Sequence, residues 1–523
     1  MSLKEEESQH MSIKRIKGIG VLSIALTALI ALSGCSVGAQ SPSPSASSTN
    51  SKLVVAETVP PQTFDPTQSS QIATMYAWQL VYSGLVQIDS KGTVQPDLAT
   101  SWTVSPDRMT YGFTLRNGAK FSDGSPLTAD DVVFSFNRLL TQGLPYSQTR
   151  FASLKSVAKI DASHVSFTLK TPDAGFLLNL GSPFLIGSAI LSEAWSKTHD
   201  PKTDVLGTGP FKVASYAPNS ELVLVRNDNY WDKANTPKYK ELDIKYMPDQ
   251  AAQVAALLSG HIDLMFPSSE NVIQLQKSKS VSIKSVPGTN TIRLNINTNR
   301  APFNNQNVRE AISLALNREN IAKGAFFGQA VPSAQIPPTL PWAIPLSQLD
   351  NQTSNVKQAK ALLAKAGYPN GFSLTLDHLA GYATYLDRFS SLVKSELAAV
   401  NIKVTIQADQ NPVWLANQNS ANYDLMDNVY SFTGDPMSLL SPRPGRQGPT
   451  PTALTDLMQQ AITGAPSEYA ANLKKILAYE DKTVFPDIAV AAPKATIAYG
   501  KRLASVTPTS TLARQFLVPV TLK

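Results

Sequence analysis

The run Tyr111-Gly-Phe-Thr-Leu-Arg-Asn-Gly-Ala-Lys-Phe-Ser-Asp-Gly-Ser-Pro-Leu-Thr-Ala-Asp-Asp-Val-Val-Phe-Ser135 passes from strand to loop to helix within one short stretch. Tyr111, Phe113 and Leu115 alternate with small or polar residues, the period of a half-buried strand. Gly118 offers a turn, and Ser122-Asp123-Gly124-Ser125-Pro126 is a loop by composition. Thr128, followed three residues later by Asp131, forms a capping box with the shorter acid. Val132, Phe136, Leu139 and Leu140 then fall on one helical face, which marks them as core positions.

Outward from this run the same alternation of periods continues. Val165, Phe167 and Leu169 predict a strand, as does the apolar run Leu222 to Val225 ahead of an Asn227-Asp228 turn. Asp249 and Gly260 bracket a helix presenting Val254, Leu257 and Leu258. Ser354 and Gly367 bracket another, with Pro369 beyond it. Strands interleaved with helices give an α/β fold class. With 523 residues the chain is long enough for two or three domains with their own cores.

Near the start, Lys14-Arg15-Ile16-Lys17 precedes an apolar stretch from Ile19 to Leu32, shorter than the roughly 20 residues a membrane span needs. That is the layout of a secretory leader. It ends at Leu32-Ser33-Gly34-Cys35, whose cysteine is the only one in the chain. This tetrad resembles the lipobox of bacterial lipoproteins, which implies lipidation of Cys35 and a mature chain beginning there. Residues 1–34 are read as the leader, and Met11 offers a start that leaves out the ill-fitting Glu5, Glu6 and Glu7. Residues 35–50 are Ser/Pro-rich with little apolar bulk, the composition of a disordered tether.

Beyond the leader, 42 Lys and Arg face 36 Asp and Glu, a net charge of about +6. The basic residues are scattered. Lys277, Lys279 and Lys284, or Arg443 and Arg446, are too thin a patch for nucleic acid, which is not expected as a partner. A single cysteine excludes an intrachain disulfide framework. The sequence lacks the Gly-x-Ser-x-Gly, phosphate-loop, His-Glu-x-x-His and EF-hand signatures. The five histidines, 10, 164, 199, 261 and 378, are dispersed. No catalytic residue, metal or cofactor is expected, although paired carboxylates of the glycosidase kind can be judged only in space.

The opening run is similar to the signature of the family 5 extracellular solute-binding proteins, the dipeptide, oligopeptide and nickel receptors of ABC importers. Further matches follow in order: Gly207-Thr-Gly-Pro-Phe211, Leu222-Val-Leu-Val-Arg-Asn-Asp-Asn-Tyr-Trp231, Ala256-Leu-Leu-Ser-Gly-His-Ile-Asp263, Ala301-Pro-Phe303 with Val308-Arg-Glu-Ala-Ile312, and Ala366-Gly-Tyr-Pro-Asn-Gly-Phe372. The resemblance implies a two-lobed clamp of the periplasmic binding-protein type, with a subsidiary domain on lobe one. Lobe one would span 51–287 and lobe two 288–487, with 488–523 returning to lobe one. Hinges are expected near Asn290 and Pro486, and the ligand between the lobes.

In peptide-binding relatives an Asp of lobe two holds the ligand ammonium. The matching run here is Tyr430-Ser-Phe-Thr-Gly-Asp-Pro-Met437, so the resemblance implies Asp435 for the ammonium and Phe432 for an apolar wall. Because Pro436 follows directly, Asp435 is read equally well as a turn starter. Dipeptide receptors place an Arg for the ligand carboxylate in a window that reads Leu376-Asp-His-Leu-Ala-Gly-Tyr382 here, without one. His378 is a candidate for a carboxylate or metal complex, against a plain surface histidine. Tyr430, Tyr382 and Trp414 are candidate cleft aromatics, against core packing, and Pro60 to Pro66 resembles a loop near the cleft floor. The implied function is a monomeric, lipid-anchored peptide receptor serving an ABC permease at the outer face of the cytoplasmic membrane, or at its periplasmic face in an outer-membrane bacterium. A receptor for a nickel chelate, haem or oligosaccharide is the alternative, and a hydrolase or chaperone-like lipoprotein a distant third.

Overall fold

The computed structural model describes residues 51–523 apart from 70, 90, 441–446, 486 and 512. Cys35, the leader, the tether, the Arg443 and Arg446 pair and the Pro486 hinge therefore lie outside the described residues.

Among the described residues, three sheets of four or more strands organise the fold, beside two two-stranded ones. The first is seven-stranded and mixed, with Lys52–Glu57 at its centre, parallel to both Glu241–Tyr246 and Leu264–Met265. Leu53 and Val55 are fully buried in its core together with Trp78, Leu222 and Leu224. The second has six strands, in the order Ala330–Pro332, Asp487–Pro493, Asn290–Ile296, Leu425–Ser431, Ser373–Leu379, Lys403–Asp409. Helices such as Gln306–Ala315 and Thr384–Ala398 contribute to its core through Val308, Ile312, Phe389 and Val393.

The third sheet is built around the opening run. Strand Thr110–Leu115 pairs antiparallel with both Ala99–Val104 and His164–Leu169. Its alternate side chains Tyr111, Phe113 and Leu115 are buried. Helix Ala129–Gln142 packs on them, with Phe136 edge-on to Phe167 at 4.8 Å between ring centroids. Both arms of the expected capping box form, and the Asp131 carboxylate accepts the Thr128 N–H at 2.8 Å. Helix Gln250–Ser259 starts at Asp249 and ends at a left-handed Gly260, as its sequence predicts. Two expectations shift. Leu258 is exposed, while Gln253 is buried and donates to the Met247 carbonyl at 2.6 Å. The helix expected after Ser354 is capped one residue later, where the Asn355 side chain accepts from the Gln358 N–H.

The chain crosses between the first two sheets twice. Strand Val281–Val286 belongs to the first and Asn290–Ile296 to the second, so Pro287 to Thr289 form the outward crossing. The return differs from expectation. Asp487–Pro493 pairs with Asn290–Ile296 inside the second sheet, and only Ala495–Gly500 rejoins the first. The crossing is thus at Lys494, several residues beyond the boundary expected at Ile488. Burial explains the shift: Ile488 and Val490 complete the second core, while Ile497 enters the first. The two crossings touch. A Cβ on Gly288 would lie 2.0 Å from the Pro493 carbonyl oxygen, so only glycine permits this approach.

Candidate functional site

The part of the chain carrying the third sheet meets the second half along the expected ligand-binding run. Arg150 donates to the Thr433 hydroxyl at 2.6 Å and to the Thr433 carbonyl at 2.7 Å. Ser182 donates to the same carbonyl at 2.6 Å, and the Ala174 N–H donates to the Ile462 carbonyl at 2.8 Å. Farther along, Glu270 of the first half pairs with Arg388 of the second at 2.5 Å and accepts from the Thr384 hydroxyl.

Asp435 sits within this contact as a turn starter. Its carboxylate accepts the Met437 N–H at 3.0 Å and the Tyr469 hydroxyl, and its carbonyl accepts the Ser438 N–H at 3.1 Å. The other carboxylate oxygen faces Gly175, where an added Cβ would come within 2.4 Å. Burial raises this carboxyl to about 6, against the lowering effect of Tyr469 and Met437. One carboxylate oxygen thus holds its own turn and the Tyr469 hydroxyl, and the other faces the first half at Gly175.

The remaining candidates separate. Tyr430 is buried in the second sheet, its ring 4.4 Å from the Arg293 guanidinium and its hydroxyl accepting from Asn295 at 2.7 Å. Trp414 packs with Tyr423 and Met426. His378 is not on the surface, which corrects that reading. Its Nδ1 lies 2.5 Å from Asp427 and its Nε2 2.7 Å from Asp387. Burial opposes its charge, but the two carboxylates outweigh it and raise the pKa above the ordinary value. Tyr382 is 54% exposed on the second half. The Tyr76 phenol of the first half, raised mainly by burial, also feels it. In the loop 60–66, Asp65 is buried and accepts from Arg138, an internal role.

Phe432 alone of the six lines a cavity of about 650 Å³ located where the outward crossing meets both halves. Gln79, Asp97 and Trp231 form part of the first-half wall, and Trp342 joins Phe432 on the other side, their rings tilted at 5.9 Å. The Trp342 ring closes against the turn at Gly92, whose positive φ of 76° and lack of a side chain make room for it. Nothing in the sequence singled out Asp97, Trp342 or Arg150. Each lies far along the chain from the residues it faces.

Two α/β halves, joined by paired crossings and enclosing a cavity at that junction, define a solute-binding clamp. Residues 93–448, about two thirds of the chain, match the family described as bacterial extracellular solute-binding proteins, family 5 (middle region). Heme-binding protein A of Haemophilus influenzae is 31% identical over 76% of this chain and 77% of its own length. The dipeptide-binding protein of Escherichia coli K12 is 29% identical over 73% and 76%. Among solved structures, an ABC transporter-associated periplasmic binding protein from Helicobacter pylori, in complex with the peptide STSA, superimposes with a TM-score of 0.75 at 25% identity. The alignment covers 90% of this chain and 98% of that one. The chain belongs to the family 5 extracellular solute-binding proteins.

Proposed function

We propose that this chain is the substrate-binding component of an ABC importer, capturing peptides between its halves and presenting the closed form to a membrane permease. The observation that carries this reading is the cavity at the crossing segments, bounded by both halves. Its volume falls within the roughly 300–1,000 Å³ of small-ligand sites. A ligand touching both walls favours the closed arrangement by its differential contacts, which is how binding becomes a signal. Phe432 supplies an apolar wall, and Asp435 acts one step removed, fixing the turn that holds Phe432 in place. We also assign Cys35 as a lipid anchor, retaining a monomeric receptor on the outer face of the cytoplasmic membrane.

A second reading, a receptor for haem or another non-peptide solute, is favoured by the heme-binding name of one relative and by the missing Arg in 376–382. Native mass spectrometry of the purified chain for carried-over ligand, then a thermal-shift screen of peptides two to ten residues long, separates the two. Stabilisation by peptides is the expected result. Stabilisation by haem or a metal chelate, with none by peptides, would replace the first reading by the second.

A further inference from the structure

Basic residues that are scattered along the sequence gather at one end of the seven-stranded sheet. Strands Lys52–Glu57 and Glu241–Tyr246 both start there, Lys52 beside Glu241. Through Leu264, which lies beside both Val55 and Tyr499, the strand Ala495–Gly500 finishes at the same end, and Val281–Val286 starts there with Val281 beside Gly500. Lys240 directly precedes one of these strands, Lys501 directly follows another, and Lys277 and Lys279 lead into a third. These four and Lys238 are all exposed, and none makes an ion pair among the described residues. The acids at this end have cations of their own. Lys52 bridges Glu241 and Asp243 at 2.9 and 2.6 Å, Arg502 holds Asp263 at 2.9 Å, and Arg226 holds Asp228 at 3.0 Å. The five lysines therefore give this end a net positive charge. Four strand steps separate the Lys279 side from the Lys240 side, a patch roughly 20 Å across.

The chain enters the fold at this same end. The Ser51 carbonyl accepts the Lys240 and Glu241 N–H groups at 2.7 and 3.0 Å. Only residues 36–50 separate Ser51 from Cys35, a reach of at most about 50 Å. Both crossings to the second half leave from the opposite end of the sheet, where Val286 lies beside Ala495.

We propose that this end of the first half is a membrane-docking face, its lysines 238, 240, 277, 279 and 501 resting on the anionic headgroups of the membrane that holds Cys35. This rests on the reading of Cys35 as a lipid anchor. A short connection keeps the lysines at high effective concentration over the headgroups, so an attraction too weak to hold an untethered protein suffices. Docking through the first half leaves the second half, joined at the far end, able to rotate as the clamp closes.

Vesicle co-sedimentation of the chain from residue 35 onward, with Cys35→Ser to exclude acylation, tests this. Vesicles of phosphatidylglycerol and phosphatidylcholine should retain at least tenfold more protein at low salt than vesicles of phosphatidylcholine alone, and high salt should erase the difference. Lys240→Glu, Lys277→Glu, Lys279→Glu and Lys501→Glu together should bring binding down to the neutral-vesicle level. The same reversals at Lys357, Lys360, Lys365 and Lys394, on two helices of the second half, change net charge equally and should leave most of the binding intact. Equal loss in the two variants would mean a diffuse charge effect and overturns the face. Retention by soluble polyphosphate with none by anionic vesicles overturns it in favour of a soluble polyanion. Mass spectrometry of the wild-type chain from membranes reads the anchor separately. An acyl mass on Cys35 with no vesicle binding by the unacylated chain keeps the anchor and overturns the docking face, whereas vesicle binding without an acyl mass supports the face and removes the anchor.

Discussion

At Asp435, burial and hydrogen bonding pull the carboxyl in opposite directions, and burial wins, placing it at about 6. The folded value lies above the ordinary one of about 3.9, so the folded state keeps a proton that the unfolded chain has released. This contribution to stability is complete below the unfolded pKa and is lost as pH rises through 6, at a cost of roughly 3 kcal/mol. Asp435→Asn does not titrate and keeps an acceptor for Tyr469 and Met437. Denaturant midpoints of the wild type should therefore fall between pH 4 and 6 relative to those of the variant, and parallel profiles would refute the assignment. The turn-starter role was half legible: Asp-Pro marks a turn in any chain. Tyr469 and Gly175, which close off the carboxylate, are distant in sequence and could not be read from it.

The helix Ala129–Gln142 shows how much an element states for itself. Its start is written locally, since a capping box needs only residues three apart, and both arms form. Yet the Asp131 carboxylate also accepts the Glu193 N–H at 2.8 Å, tying the helix to a segment far along the chain. Asp131→Ala should therefore cost more than a simple cap, about 1–3 kcal/mol, because it leaves the Thr128 and Glu193 N–H donors without their acceptor. Urea unfolding would show this as a lowered midpoint at unchanged slope. A change of only about 0.5–1 kcal/mol would mean that the local cap alone is at work. Helix Gln250–Ser259 marks the limit of periodicity: its caps follow the sequence, but Gln253 rather than Leu258 faces inward, because the Met247 carbonyl gives the amide a partner.

At the scale of the molecule, the halves meet through polar contacts and through an apolar cluster in which Leu178, Ile88 and Val94 of the first half pack with Trp342, Phe432 and Met437 of the second. Arg150 makes two of the polar contacts, both to Thr433. Charged hydrogen bonds are worth about 1.5–3 kcal/mol each. Arg150→Ala should shift the open–closed balance toward open by tenfold or more, seen as a larger radius of gyration in solution scattering and a matching loss of ligand affinity. Unchanged scattering and affinity would remove Arg150 from the closure. The sequence by itself determined the α/β class, the caps and turns of its clearest elements, and the family, because these reside in short-range periodicity and in motifs contiguous along the chain. The tertiary structure decided the rest. It moved the return crossing to Lys494, since only packing tells which core an apolar strand completes. It placed Tyr430, Trp414 and His378 inside the second half and left Phe432 at the cavity. It brought Asp97, Trp231 and Trp342 to one cavity, because a binding wall is assembled from segments whose separation along the chain bears no relation to their distance in space.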